Sequence, residues 1–563
     1  MLEKYGTKHV FGLPGDTSMA LYDAFHGASG IQHILVRDER SSAYMADAYA
    51  RVTGKVGVCE GPSGGGALYI IPGVSEADGS RVPIVCFTSD TPLTSEDRGS
   101  LTSLEQTRVF EAVTRFTSRV VLGSKIPETI RRAFRFATAN RMGASHIALP
   151  ENIIGEQMTS LDEADVYSEP RHMAYPAYRF APCSDDLEKA CEAIKEASKP
   201  VILAGGGVHL SEAYEELAQF AGLLHIPVAT SLNGKGAFDE TSALALGVIG
   251  TNGAKCASNE ALAEADLVIV LGSRLNASTT AGLLKSKKVI QVDTDAAQIG
   301  NTTQVEVALA GDAREVLRAF IRICAGFADN RDLRWTESVG RRIVEEMNLL
   351  EPNFSQDTLP FAPMRLVRLL NEALPSDSIV VCDAGTPTPH VAAYYRPNHA
   401  GRTFVAGRAH GSLGYAIPAA IGAKVGQPCT PVVAVFGDGS FEMAMSELET
   451  ISRLEIPIIM VCTRNGSYNW IKCLQQIYYE ERYFGVDFGH KGDYCDLARA
   501  YGIQAIRPES GTEMKEAIAS AIRSERPLFL DVPTEPMTSR VPPVRAWQQD
   551  MAKPASQRVR KSY

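Results

Sequence analysis

The sequence predicts an α/β protein of three doubly wound domains, each built on a parallel sheet. Short apolar runs rich in β-branched residues alternate with helix-patterned segments along all 563 residues, which is typical of parallel sheets covered by helices. These runs fall into three groups, separated by two polar, Pro-containing stretches. The 47 glycines fit the tight strand-to-helix turns that such domains need.

The predicted strands define the three groups. Each is a short apolar run that ends in small, polar or glycine residues. They are residues 33–36, 56–59 and 83–89 in the first group, 201–206, 226–231, 266–273 and 287–295 in the second, and 379–385, 432–440, 457–465 and 527–532 in the third.

Two linkers set the expected domain boundaries. Residues 165–185 and 350–363 are rich in Pro, aromatic and polar residues and contain no predicted strand. The C-terminal tail carries Pro and basic residues, which predicts that it ends disordered. We therefore expect domains at residues 1–165, 180–345 and 360–535, followed by the tail at 536–563.

Composition excludes several classes of partner. The formal net charge is −10 and no long basic run precedes the tail, which argues against nucleic acid and anionic membranes as partners. The longest apolar runs are far too short to span a bilayer. The N-terminal residues lack the pattern of a signal peptide, and the 11 cysteines form no CxxC pair. We expect a cytoplasmic protein with reduced thiols.

The strongest chemical signal is the sequence GDGSF, which follows the predicted strand 432–436. Gly437 and Gly439 allow a sharp turn at the carboxyl end of this strand, where ligands of open α/β sheets bind. Asp438 and Asn465, which ends the next strand, supply hard oxygen ligands suited to Mg²⁺, and the carbonyl of Ser467 is the third expected ligand. An Asp-Gly pair alone also fits an ordinary turn, but the spacing and flanking strands favour a diphosphate–metal site.

This spacing resembles the signature of thiamine-diphosphate-dependent enzymes. Two further segments, residues 36–67 and 407–424, agree in order, and the YEERY pattern at 479–483 is similar to the acetolactate synthase-like (large subunit) group. The resemblance spans about residues 5–535. It implies pyrimidine-binding, central and diphosphate-binding domains in that order. It also implies a 2-oxoacid decarboxylase or carboligase, a transferase or lyase that acts through a thiazolium ylid.

The resemblance assigns the catalytic role to Glu39. In the family this glutamate binds a ring nitrogen of the aminopyrimidine and favours the tautomer that removes the thiazolium proton. The alternative is a carboxylate that caps the following helix. The other cofactor contacts implied by the resemblance are Ser63, Gly64, Gly385, Thr386, Gly411, Leu413, Gly437, Asp438, Gly439, Ser440, Asn465, Ser467 and Tyr468.

Two of these contacts shape the reactive end of the cofactor. Leu413 is expected to support the bent cofactor beneath the thiazolium, with plain core packing as the alternative. The Gly411 carbonyl is expected to hold the exocyclic amine.

The substrate pocket departs from the synthases. Trp470 stands where they carry Met, and Leu474 stands where they carry Trp. These changes predict poor condensation of pyruvate to acetolactate. The alternative for Trp470 is packing in the core of its own domain.

Several questions stay open at the level of sequence. The Gly-rich turns of the central domain fit FAD, an adenine nucleotide or no ligand at all. Alternative functions are a lyase or hydrolase of a diketone or 2-hydroxyacyl substrate, a flavin-dependent 2-oxoacid oxidase, and a non-catalytic cofactor-binding subunit. Because Glu39 and Asp438 come from different subunits in the family, we expect a homodimer or a dimer of dimers.

Overall fold

The computed structural model describes residues 1–156, 165–276, 281–330, 332–489 and 492–560, which form three parallel sheets of six strands each. This confirms the predicted fold class. The strands are β1 His9–Gly12, β2 Gln32–Leu35, β3 Gly57–Gly61, β4 Ile84–Asp90, β5 Phe116–Arg119, β6 Ala144–Pro150, β7 Pro200–Ala204, β8 Val228–Thr230, β9 Ala245–Val248, β10 Leu267–Leu271, β11 Lys288–Asp293, β12 Val307–Ala310, β13 Ile379–Cys382, β14 Phe404–Ala406, β15 Val432–Gly437, β16 Ile458–Arg464, β17 Gln504–Ile506 and β18 Leu528–Pro533.

The strand orders are β2-β1-β3-β4-β6-β5, β12-β11-β10-β7-β8-β9 and β14-β13-β15-β16-β18-β17. Each order reverses direction along the sheet, so helices cover both faces and the central strands are buried. In such sheets ligands bind outside the carboxyl ends of the strands.

Helices connect the strands. No helix of the described residues is both long and apolar enough to cross a bilayer. The α helices are Met19–Gly27, Glu39–Thr53, Gly65–Tyr69, Ile71–Gly79, Gln106–Glu111, Ile126–Thr138, Glu151–Ile154, Ser184–Glu196, Gly206–Ser211, Tyr214–Leu224, Cys256–Glu264, Ala313–Cys324, Arg334–Ser355, Pro363–Ala373, Pro387–Tyr394, Ala416–Gly426, Asp438–Ala444, Leu448–Arg453, Asn469–Tyr478, Tyr494–Ala500, Gly511–Ser524 and Arg545–Met551.

The first and third sheets share one hydrophobic core. Helices Glu39–Thr53 and Ala416–Gly426 pack so closely that a Cβ on Gly422 would lie 2.1 Å from the carbonyl oxygen of Met45. At this contact the buried Asp47 carboxylate accepts hydrogen bonds from Arg51 at 2.8 Å and from the Tyr415 hydroxyl at 2.5 Å. The helix that begins at Glu39 is therefore anchored to the third domain of its own chain.

The C-terminal tail contains a packed helix, Arg545–Met551, which the sequence analysis did not predict. Trp547 is fully buried and its ring lies 4.4 Å from that of Trp470, centroid to centroid. The Tyr478 hydroxyl donates to Asp550 at 2.7 Å. Burial of Trp547 and this hydrogen bond stabilise the folded tail despite its polar composition. Residues 561–563 lie outside the described part of the chain.

Candidate active site

A cavity of about 420 Å³ opens at the carboxyl ends of β13 and β15. It brings together most of the residues predicted to bind the cofactor's diphosphate and thiazolium. Those that line it are Gly385, Thr386, Gly411, Leu413, Gly437, Asp438, Gly439, Ser440, Ser467 and Tyr468, together with Trp470 from the predicted substrate pocket.

Asp438 ties together two loops at the floor of this cavity. It follows β15 directly, and its Oδ2 accepts the backbone amides of Asn465 at 2.9 Å and Gly466 at 2.6 Å. Its Oδ1 accepts the amide of Gly439 at 3.0 Å. Burial raises the pKa of Asp438, and these three amides oppose that rise. The loops after β15 and β16 meet here because the two strands are parallel neighbours.

The donor set beside Asp438 fits Mg²⁺. Asn465 is not among the residues that line the cavity, and its side-chain oxygen accepts a hydrogen bond from the side-chain amide of Asn469. Asn469 also donates to the hydroxyl of Ser467 at 2.7 Å. Carboxylate, amide and carbonyl oxygens are the ligands that this ion takes.

The glycine turn fits a diphosphate group. A Cβ on Gly439 would lie 2.6 Å from the Tyr468 ring, so only glycine lets the two loops close. Gly385 has φ +103° and its Cβ position faces open space, apart from Leu413 at 3.9 Å. The backbone at both glycines can therefore approach a ligand closely.

Asp383 is a site residue that the sequence analysis missed. It follows β13, two residues before Gly385, and is fully buried beside the cavity. Its Oδ2 accepts the Ala416 amide at 3.0 Å, whereas its Oδ1 has no hydrogen-bond partner among the described residues. Burial raises the pKa of Asp383 from its ordinary 3.8 to about 7. An acidic residue directly after a buried strand was the available signal.

This shift predicts a pH dependence of stability. Between about pH 4 and about pH 7 the folded state holds a proton on Asp383 that the unfolded chain has lost. The free energy of unfolding therefore falls as pH rises through this window, by up to about 1.4 kcal/mol per pH unit, and levels off above it. In thermal unfolding measured with EDTA, we expect the free energy of unfolding of Asp383→Asn to rise relative to that of wild type between about pH 5 and about pH 8. A stability difference between variant and wild type that does not change with pH would contradict the raised pKa of Asp383.

Glu39 lies at a second place, at the carboxyl ends of β2 and β3. Asp38, not Glu39, caps the helix, since its side chain accepts the Arg40 amide at 2.8 Å. The Glu39 carboxylate faces the Gly64–Gly66 turn, where a Cβ on Gly66 would lie 3.0 Å from its Oε1. Burial raises the pKa of Glu39.

Ser63 and Gly64 form the turn beside Glu39. The Ser63 hydroxyl accepts a hydrogen bond from Thr17 and donates one to Thr102, both at 2.8 Å. Gly64 has φ +62°, and a Cβ there would lie 2.7 Å from that of Thr102. Of the described residues that line the cofactor cavity, none belongs to the first sheet. Within one chain, the surroundings of Glu39 and the Asp438 cavity are therefore two separate groups of predicted site residues.

The two predicted pocket residues separate. Trp470 lines the cavity and rests on Trp547. Leu474, one turn further along the same helix, points away and is buried against Met537 and Trp547. Leu474 is therefore not among the described residues that line this cavity, because the folded tail covers that face of the helix, and its role in the substrate pocket stays a prediction.

A larger cavity of about 530 Å³ lies over the central sheet. It is lined by the predicted glycine turns, which approach so closely that a Cβ on Gly207 would lie 2.6 Å from the Cα of Gly272. Asp293, at the carboxyl end of β11, pairs there with Arg81 at 3.0 Å. A carboxylate at such a strand end is suited to binding a ribose hydroxyl.

Three family descriptions cover most of the chain. The thiamine pyrophosphate enzyme N-terminal TPP-binding domain matches residues 1–109, the central domain matches 187–320, and the C-terminal TPP-binding domain matches 383–532. The chain belongs to the thiamine pyrophosphate enzyme family. These three matches confirm the family that the sequence analysis predicted.

Relatives in this family carry related names. The "probable acetolactate synthase large subunit" of Methanocaldococcus jannaschii is 34% identical over 96% of this chain and 92% of its own length. The acetolactate synthase large subunits of Corynebacterium glutamicum and Lactococcus lactis are 32% and 29% identical, each over 94% of this chain and over 85% and 90% of their own lengths. The chain is a thiamine-diphosphate-dependent enzyme of the decarboxylase and carboligase kind.

Proposed function

We propose that this thiamine pyrophosphate enzyme decarboxylates a 2-oxoacid and joins the remaining acyl unit to a second carbonyl compound. The observation that carries the proposal is the cavity beside Asp438, where oxygen ligands and glycine backbone lie at the ends of two strands. When bound, thiamine diphosphate supplies the nucleophilic carbon and the electron sink for breaking a bond next to a carbonyl. The lyase, hydrolase and oxidase alternatives have no observation that favours them.

We propose that these two groups of residues, one around Asp438 and one around Glu39, are half-sites of the active site with separate roles. Asp438, Asn465 and Ser467 would hold Mg²⁺, while Gly385, Thr386 and Ser440 would surround the diphosphate. Leu413 and Gly411 support the two rings. Glu39, the half-buried first residue of its helix, would share a proton with a ring nitrogen of the cofactor, a role that its raised pKa suits.

A substrate screen tests the proposed reaction. We expect carbon dioxide from at least one 2-oxoacid and a ligated product when a second 2-oxoacid or aldehyde is present. Because Trp470 lines the cavity, we expect pyruvate to condense with itself to acetolactate slowly, although the relatives are named for that product. Failure of every 2-oxoacid to release carbon dioxide would refute the proposed function.

We further propose that the active site forms between two subunits of a homodimer, alone or within a dimer of dimers. Each half-site is flanked by exposed apolar side chains, which mark an interaction surface. Leu68 and Tyr69 follow the turn beside Glu39, and Met443 and Met445 follow the Asp438 turn. A two-fold partner that covers both surfaces brings Glu39 of one subunit to the cavity of the other.

Hybrid dimers test this arrangement. Glu39→Ala and Asp438→Ala should each be inactive alone. Mixed under conditions of subunit exchange, they should regain up to about a quarter of wild-type activity, because random mixing makes half of the dimers hybrids with one intact site each. Two Glu39→Ala chains carrying different tags provide the control for exchange. Proven exchange without recovery would place both groups in one subunit.

We also propose that the central cavity binds an adenine nucleotide, either as such or as part of FAD. Glycine turns at Gly206–Gly207 and Gly272, and the carboxylate of Asp293, support this. The visible absorption of the purified protein separates the two ligands, since only FAD gives a flavin spectrum. Chromatography of the denatured protein identifies a released adenine nucleotide.

A further inference from the structure

One buried carboxylate of the first domain holds a loop of the third domain. Glu76 lies on helix Ile71–Gly79 and is fully buried. Its Oε1 accepts hydrogen bonds from the backbone amides of Arg408 at 2.9 Å and Ala409 at 3.0 Å, and its Oε2 accepts one from the amide of His410 at 3.0 Å. Three successive amides of the third domain therefore converge on one side chain of the first.

The helix surface around Glu76 fits this loop closely. A Cβ on Gly79 would lie 2.6 Å from the Cβ of Ala409, so the approach of loop and helix requires glycine at this position. The imidazole Nε2 of His410 lies 3.2 Å from the Ser75 carbonyl oxygen, within hydrogen-bond distance. The loop is therefore packed against the helix as well as bonded to its carboxylate.

Stability alone is a poor explanation for a carboxylate at this place. Burying a carboxylate is costly unless hydrogen bonds and a cation satisfy it. Arg51 lies 3.7 Å from Oε1 but pairs more closely with Asp47, at 2.8 Å. The Ser80 hydroxyl donates to Oε1 at 2.9 Å. An apolar side chain could fill such a site at no such cost, so the three amides that Glu76 holds are the better explanation.

The anchored amides lie next to the residues that we propose for the two rings of the cofactor. Residues 407–415 form the loop between β14 and helix Ala416–Gly426, and Gly411 and Leu413 of this loop line the 420 Å³ cavity. Peptide groups are planar, so only the φ and ψ angles of His410 and Gly411 separate the last anchored amide from the Gly411 carbonyl. Glycine is the most flexible residue. The place of this carbonyl therefore depends on the anchor that precedes it.

We propose that Glu76 is a positioning residue of the reaction, which fixes the loop so that the Gly411 carbonyl and the Leu413 side chain meet the cofactor in the reactive arrangement. This rests on the proposed function. Glu76 acts through the loop and touches neither the cofactor nor the substrate. A loop that is ordered before the ligand arrives saves the cost of ordering it, and an error of about 1 Å in placement can lower a rate about 100-fold.

Glu76→Gln tests the proposal with two kinds of measurement. The amide keeps the size of the side chain, but its NH₂ group would face a backbone N–H, donor to donor. In cofactor-free protein, deuterium exchange of the amides of residues 408–410, followed by mass spectrometry, should become roughly 10- to 100-fold faster, the value of a hydrogen bond to a charged group. In the loaded enzyme, kcat should fall about 10- to 100-fold, while KM for the 2-oxoacid and thiamine diphosphate affinity stay within about threefold. Exchange of the thiazolium proton with deuterium, measured by NMR after an acid quench, should slow in the same proportion.

Glu216→Gln is the matched control. Glu216 is a buried carboxylate of the central domain that pairs with Arg314 at 2.9 Å and with Arg318 at 3.0 Å. Its replacement should lower the unfolding temperature but leave kcat and the amide exchange of residues 408–410 unchanged. Glu76→Asp keeps the charge but withdraws it by one methylene group, and should give intermediate values. If Glu76→Gln loses its native circular dichroism, Glu76→Asp decides in its place.

Each other result overturns the proposal in a recognisable way. Lower stability with unchanged amide exchange and unchanged kcat would give Glu76 a merely structural role. A large loss of thiamine diphosphate affinity would show that Glu76 acts by holding the ligand. Thiazolium exchange at the wild-type rate in loaded Glu76→Gln would show that the rings need no such anchor. A wild type that binds no cofactor or decarboxylates no 2-oxoacid would refute the proposed function instead, whereas amide exchange would still report whether Glu76 anchors the loop.

Discussion

Glu39→Gln should lower turnover by roughly 10²- to 10⁴-fold, the usual contribution of a positioned acid–base group. The amide keeps the shape of the side chain and its contact with the Gly66 turn but cannot share a proton with the cofactor ring. Because the helix is capped by Asp38 rather than Glu39, the substitution should leave the fold intact. Binding of thiamine diphosphate, measured by calorimetry, should change little.

The control is Glu105→Gln, an exposed carboxylate of the first domain whose side chain caps no helix. It should behave as wild type in turnover, cofactor affinity and thermal unfolding. Wild-type turnover in Glu39→Gln would remove the catalytic assignment. Lost cofactor binding in that variant would show that Glu39 acts by holding the ligand instead of by moving a proton.

Asp438→Ala should abolish most cofactor binding. The carboxylate is the one charged group that we assign to Mg²⁺, and even an outer partner of a metal ligand is typically worth 10- to 100-fold in affinity. Thiamine diphosphate affinity should therefore fall by at least roughly 100-fold and respond little to added Mg²⁺. In the wild type, EDTA followed by gel filtration should strip the cofactor.

The fold should survive that change. The three backbone amides that donate to Asp438 would lose their partner. An unsatisfied buried amide costs about 1–3 kcal/mol, but water in the cavity can replace the carboxylate as acceptor. Removing a buried carboxylate offsets part of this cost. The matched control is Asp496→Ala, an exposed carboxylate of the same domain paired with Arg499. Retention of cofactor in Asp438→Ala, or in EDTA-treated wild type, would contradict the metal assignment.

Periodicity predicted the central strands because they are short, apolar and buried on both faces. It missed edge strands such as β12, where every second residue is exposed, and β17, whose first residue is exposed. It also missed the interior strand β6, which carries Ser145 and His146. Both are buried because hydrogen bonds satisfy them, His146 by Thr88 at 2.7 Å and Thr117 at 2.8 Å. A polar residue with tertiary partners cannot be recognised from its neighbours in sequence.

The site shows the same division. Spacing and resemblance placed the Asp438 and Gly385 turns, because strand ends and glycines leave a local signature. The packing of Leu474 against the tail could not be predicted, because the residues that bury it lie more than 60 residues further along the chain.

The folded tail also bears on how the protein is made. Val544 forms part of the cavity wall, Trp547 backs Trp470, and the Gly253 amide donates to the Pro543 carbonyl at 2.9 Å, so the tail joins the catalytic cavity to the central domain. Synthesis runs from the N-terminus, and domains fold in that order. All three sheets are therefore synthesised before the tail residues that complete the cavity wall. Completion of the cavity at the proposed cofactor site therefore depends on the tail, which of the described segments is synthesised last.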